Sequence, residues 1–175
     1  MEDILTQVKN AHALWGAGIV QIGRAEVCGD SAERYANEML NALYNFKDED
    51  PCFKGDILFK PTLAVEHPIR LNRKQTLSYF IGGQKEEDKG FALKPWKRVE
   101  FHDIDERNII SHGDITLVMG IYTFYNYKEV GTTVEYSFGY VKGEPSDYHP
   151  KGAKKLLEQN HLRIVLHHSS LPPDA

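Results

Sequence analysis

The chain has 175 residues, 41% hydrophobic and 26% charged, with a formal net charge of -4. That length and apolar share suit one domain with its own core over residues 1–175, and no second domain is expected. A mildly acidic chain without a basic stripe is a poor partner for nucleic acid, and no apolar run is long enough to span a bilayer.

The start, Met1-Glu2-Asp3, has neither the basic head nor the apolar centre of a signal peptide. A cytoplasmic protein is therefore expected, or an organellar or periplasmic one if a leader has been removed. Cys28 and Cys52 form no Cys-x-x-Cys pair, so two free thiols are expected, with a single bridge as the alternative.

In chain order, Ile4, Val8, Ala11, Leu14, Trp15, Ile19 and Ile22 recur at helical spacing and predict a helix through about Arg24. Gly29-Asp30-Ser31 interrupts it. Asp30 or Ser31 then caps a second helix with Tyr35, Met39, Leu40, Ala42 and Leu43 on its apolar face, ending near Phe46. Residues 47–51 read as a loop, and residues 56–60 as a short apolar strand turned by Pro61. Residues 73–80 form a third, short helix stopped by Gly82-Gly83.

The period then changes to two. Residues 96–109, 115–125, 132–142 and 162–170 are rich in β-branched and aromatic side chains and read as four long strands. Residues 143–160 form a loop, with a helical turn or two over 153–159. Helices first and strands later is the α+β pattern: a cone-shaped, curved antiparallel sheet packed on N-terminal helices, with a space between them.

The last strand carries the chemistry. Side chains alternate along an extended chain, so Leu162, Ile164, Leu166, His168 and Ser170 share one face, and Arg163, Val165, His167 and Ser169 the other. The apolar face thus ends in an imidazole and a hydroxyl, which predicts His168 and Ser170 looking into a cavity. Thr62 and Tyr79 are likewise embedded among apolar neighbours. Together the four make a set that holds a small oxygen-rich molecule and moves a proton. Taken singly, each has a plainer reading: buried His and Ser often satisfy backbone groups, Thr62 follows Pro61 as a turn residue, and Tyr79 suits a core.

Adjacent His167 and His168 point to opposite faces and cannot readily share an ion, and no His-x-His or His-Glu-x-x-His pattern occurs, so no metal site is expected. The acidic cluster Asp103, Asp105 and Glu106 suits a charged outer face. Arg70 is a structural or exposed arginine, or a helper for an anion.

Phe59-Lys60-Pro61-Thr62-Leu63-Ala64, Ser78-Tyr79-Phe80-Ile81-Gly82-Gly83, Glu87-Asp88-Lys89-Gly90-Phe91-Ala92, Pro95-Trp96, Met119-Gly120, Glu135-Tyr136-Ser137-Phe138-Gly139-Tyr140 and His167-His168-Ser169-Ser170-Leu171-Pro172 follow one another in this chain. In that order they resemble the iota-class carbonic anhydrases over most of its length. The resemblance implies a fold related to the kinase II association domain and to nuclear transport factor 2-like (SnoaL-like) domains, and a homodimer. It implies reversible hydration of carbon dioxide to bicarbonate without a cofactor, although some relatives use zinc or manganese.

Carried onto this sequence, the resemblance makes Thr62, Tyr79, His168 and Ser170 catalytic, with Ser169 a further substrate-binding neighbour. Tyr79, Ser170 and His168 would position a water beside carbon dioxide, and Thr62 would stabilise the developing charge. An imidazole of ordinary pKa, roughly 6.5, suits the proton step. Residues 144–160 are an insertion relative to the family's tight turn, expected to alter oligomer contacts or cover the cavity mouth. Two other readings stay open. One is a non-catalytic oligomerising association domain or small-ligand-binding module; the other is isomerase or dehydratase chemistry, which calls for an inward carboxylate.

Overall fold

The structure is a computed structural model and describes residues 3–46, 57–83, 86–155 and 159–174. Helix α1 spans Ile4–Val27 and starts where the Asp3 side chain accepts the Thr6 N–H. Its Val8, Leu14, Trp15, Ile19 and Ile22 form the buried stripe that the sequence spacing predicts. Gly23 lets the helix touch the chain beneath it, since a Cβ there would lie 2.7 Å from the Lys94 carbonyl and 2.8 Å from that of Ala92. Helix α2, Ala32–Leu43, is capped by Ser31. Helix α3, Arg73–Ile81, is capped by Asn72 and ended by Gly82 at φ 79°, a left-handed conformation that favours glycine.

Six strands make one sheet: β1 Leu58–Lys60, β2 Trp96–Phe101, β3 Ile109–His112, β4 Ile115–Asn126, β5 Gly131–Ser146 and β6 Asn160–Ser170, in the order β1-β6-β5-β4-β2, with β3 also on β4. The expected single strand over 96–109 is two strands. Asp105 breaks it by accepting the Arg107 N–H while the Asn108 side chain accepts the Asp105 N–H, which closes a short 3-10 turn at Glu106–Asn108. The sheet is mixed rather than wholly antiparallel, because β1 runs parallel to β6.

Alternation along the sheet divides it into two faces. Val118, Tyr122 and Phe124 of β4 and Val134, Tyr136, Phe138 and Tyr140 of β5 face α1 and are buried. Trp15 packs into their centre, 5.5 Å from the Tyr122 ring and 6.1 Å from that of Phe138. Within the predicted loop, β5 runs on to Ser146, which pairs with Asn160, and Tyr148 and Ala153 pack against the core. Residues 153–155 are not helical, and 156–158 lie outside the described residues, as do the predicted loop over 47–51 and Cys52. Among the described residues Cys28 is free and exposed, and no helix is long and apolar enough to cross a membrane.

One irregularity positions the site. Gly139 of β5 pairs with Leu166 and Tyr140 with Ile164, so Val165 has no partner and forms a bulge in β6. Beyond the bulge the alternation is reversed. Leu162 and Ile164 point inward as expected, but His167 and Ser169 follow them into the core, opposite Phe138 and Tyr136.

Candidate active site

Pro61 turns the chain after β1 and leaves Thr62 half-buried at the head of the 61–69 loop. That loop is clamped. The Glu87 carboxylate accepts the N–H groups of Val65 (2.8 Å), Glu66 (3.0 Å) and His67 (2.8 Å), and these bonds, with Arg70 nearby, draw its carboxyl down to about 2. Arg70 is fully buried and donates to both Asp88 oxygens at 2.8 Å, and to the carbonyls of His67 and Gln75. Ser78 of α3 donates to the same carboxylate at 2.5 Å. Arg70 is thus the structural arginine of the two readings, tying the Thr62 loop to α3 and to Glu87-Asp88.

Helix α3 carries Tyr79 to the same place. Its hydroxyl is buried, with the Thr62 side chain and the Leu63 amide placed to donate to its oxygen, and its own hydrogen meets no acceptor among the described residues. Burial pushes the phenol up to about 12, so the proton stays on. A buried hydroxyl left without a partner costs about 1–3 kcal/mol, so Tyr79 holds an unused donor where the protein gains by meeting an acceptor.

The opposite wall is β6 and β4. Ser169 Oγ lies 3.1 Å and Tyr122 Oη 3.2 Å from His167 Nε2, and the two hydroxyls are hydrogen-bonded to each other. The imidazole is packed between Phe138, 4.3 Å away, and Phe59, 4.9 Å away. Burial lowers His167 to about 3, with smaller contributions from His168 and His12, so the ring is neutral. Its other nitrogen, Nδ1, is 2.9 Å from Tyr44 Oη.

Thr62, Tyr79, Tyr122, His167 and Ser169 meet in a niche of about 10 Å³ whose other walls are aromatic, among them Trp15, Phe91 and Phe124. That is about the space a single water-sized centre occupies. The niche adjoins a vestibule of about 560 Å³ that shares Thr62, Tyr79 and Phe91 and is otherwise lined mainly by Leu63, Leu93, Trp96, Val134 and Leu171, with Lys89 and Lys94 among its polar residues. Among the described residues of 144–160 none lines either space.

Thr62, Tyr79 and Ser169 of the sequence candidates line the niche. His168 and Ser170 do not. His168 is exposed beside Ser137, and Ser170 is half-buried beside Glu135, both on the outer face of the sheet. The bulge at Val165 is the reason, and it puts His167 and Ser169 in the places assigned to them. Tyr122 was open to discovery from the period-two run Val118, Tyr122, Phe124. His167 was not, because nothing in the sequence marks the bulge.

An α+β architecture, one mixed sheet packed on its helices, here ends in a hydroxyl-lined niche of about single-water size. A family model described as metal-independent carbonic anhydrase matches residues 6–171. The metal-independent carbonic anhydrase of Nostoc sp. (strain PCC 7120 / SAG 25.82 / UTEX 2576) is 33% identical over 172 residues, which cover 95% of this chain and 73% of that protein. The crystal structure of a cyanobacterial iota-carbonic anhydrase complexed with bicarbonate is 31% identical, with a TM-score of 0.75 over 97% of this chain and 92% of that one.

The chain belongs to the metal-independent carbonic anhydrase family and is a carbonic anhydrase of the iota class. Among the described residues no group of three His, Cys, Asp or Glu side chains is arranged to hold a metal ion.

Proposed function

We propose that reversible hydration of carbon dioxide takes place where the niche between Tyr79 and the Tyr122–His167–Ser169 cluster opens into the vestibule, with no metal ion. The observation that carries this reading is the buried Tyr79 hydroxyl, whose hydrogen has no acceptor among the described residues, facing a fixed cluster of hydroxyls and an imidazole across a space of water size. Carbon dioxide is apolar and enters through the apolar vestibule. A water held in the niche by Ser169 and Tyr122 attacks its carbon: a C–O bond forms, one C=O electron pair moves onto oxygen, and the water's proton passes to a second water in the vestibule and so to solvent. Tyr79 and Thr62 donate to the oxygen that gains charge, where an oriented donor in a dry site is worth most. Bicarbonate, which the cyanobacterial relative binds, is the product held there.

Stopped-flow hydration by chelator-treated protein, with total metal assayed on the same sample, tests the reading. Hydration should persist without metal, and Tyr79→Phe or Ser169→Ala should each cut kcat on the order of 10²-fold with the fold intact by circular dichroism. Full rates in both variants would move the chemistry elsewhere. No hydration in the native protein, with none on adding zinc or manganese, would return the chain to a binding module.

We also propose a homodimer through the outer face of the sheet. Ile110, Ile115, Leu117, Met119 and Ile121 stand exposed there on β3 and β4, with Met119 at 66% and Ile110 at 68% exposure. A contiguous apolar row of this kind marks an interface, and a second copy of the same face is its simplest complement. His168 and Ser170 lie on this face and find a plain role at its polar side.

A further inference from the structure

We propose that Tyr44 is a positioning residue that holds His167 as the tautomer with its proton on Nε2, so that the imidazole serves the niche as a hydrogen-bond donor and not as a proton acceptor. The role in catalysis rests on the niche being the reactive site; the tautomer itself does not.

The argument is a count of hydrogens. The indole of Trp15 can only donate, and its Nε1 lies 3.0 Å from Tyr44 Oη, so Tyr44 accepts that bond. Tyr44 then has one hydrogen of its own to place. Burial raises its pKa well above the ordinary phenol value, so that hydrogen stays on. Among the described residues its remaining partner is His167 Nδ1, at 2.9 Å.

If Nδ1 carried the imidazole proton, Nδ1–H and the indole N–H would both point at the Tyr44 oxygen, and the Tyr44 hydrogen would have no acceptor in aromatic surroundings. If Nδ1 is bare, every donor meets an acceptor. On the other side of the ring, Nε2 faces Ser169 Oγ and Tyr122 Oη, and both oxygens can accept. The chain of bonds is satisfied in one direction, from Trp15 to Tyr44 to His167 to the Ser169–Tyr122 pair. An orphaned buried donor is costly enough to favour this tautomer about tenfold or more.

The backbone makes Tyr44 a firm anchor. Its N–H closes α2 on Leu40 O, and it bridges to Ile164, while Asn45 donates to the Ile164 carbonyl at 2.9 Å. The phenol is therefore fixed to the same strand as the imidazole it serves.

The consequence concerns the niche. One hydroxyl hydrogen is used between Tyr122 and Ser169, and the Nε2–H is accepted by that pair. One hydroxyl hydrogen remains to be directed at the reacting molecule. The basic nitrogen is turned away toward Tyr44, so His167 cannot take the proton released by the attacking water.

The test is a two-bond 15N–1H correlation spectrum of histidine-labelled protein from about pH 5 to about pH 9, with His167 assigned by its loss in His167→Gln. We expect a protonated Nε2 and an unprotonated, hydrogen-bonded Nδ1 throughout. An Nδ1-protonated pattern, or titration within that range, would overturn the proposal, whether or not the protein proves to hydrate carbon dioxide. In Tyr44→Phe the Nδ1 resonance should move toward that of a nitrogen accepting no hydrogen bond, and kcat should fall about tenfold with KM little changed. An unmoved Nδ1 resonance would count against the assignment. His167→Gln, whose amide can donate from near the Nε2 position, should keep more activity than His167→Ala; equal loss in two folded variants would contradict the donor role.

Discussion

Tyr79 keeps its proton because burial raises its phenol to about 12, and His167 stays neutral because burial lowers its imidazole to about 3. Neither changes charge in the ordinary working range. Hydration rates should therefore show no inflection from these two groups between about pH 5 and about pH 9; a stopped-flow pH profile with a midpoint abolished by Tyr79→Phe or His167→Gln would contradict this. Orientation alone separates Ser169 from Ser170. Ser170→Ala and His168→Ala should leave kcat within about twofold, because these side chains stand on the far face of β6, whereas Ser169→Ala should not.

At the scale of elements, two devices build the site from separate parts of the chain. The first is the bulge at Val165, which reverses β6 so that a strand apolar in its first half delivers an imidazole and a hydroxyl inward in its second. The second is the buried Arg70–Asp88 pair, which holds the Thr62 loop against α3. Asp88→Ala would leave the Arg70 guanidinium buried without its main partner, and should cost about 3–5 kcal/mol in urea unfolding. In any folded fraction Thr62 and Tyr79 should lose their alignment, so specific activity should drop as well.

The whole molecule carries two further expectations. His12, stacked on Phe101 at 4.2 Å, is lowered by burial to about 3, as is His167. Both are neutral when folded and regain an ordinary value near 6.5 when unfolded. Below 6.5 the unfolded chain binds protons that the folded one refuses, so stability is full above that pH and falls as pH drops toward 3, by about 1.4 kcal/mol per pH unit for each ring. Urea unfolding at several pH values should show this slope, and His12→Phe should remove about half of it. The second expectation is that Met119→Lys, which places a charge amid the outer apolar row, should shift the protein toward monomer in sedimentation while its fold persists.

Much of this protein is legible in its residues. The three helices, the cap of the second, the glycine stop of the third and the late strands are local signals, a 3.6-residue or two-residue period with its punctuating residues, and Thr62 and Tyr79 stand out as polar groups among apolar neighbours. The break at Asp105 and the bulge at Val165 were not legible, since the former depends on side chains closing on their own backbone and the latter on the register of a neighbouring strand. One unpaired residue is enough to exchange His168 and Ser170 for His167 and Ser169. The sequence by itself determined the fold class, the family and the segments that bring Thr62, Tyr79 and Ser169 to the niche; only the tertiary structure decided which face of β6 meets the niche, because inward and outward are defined by the partner strand and not by the strand itself.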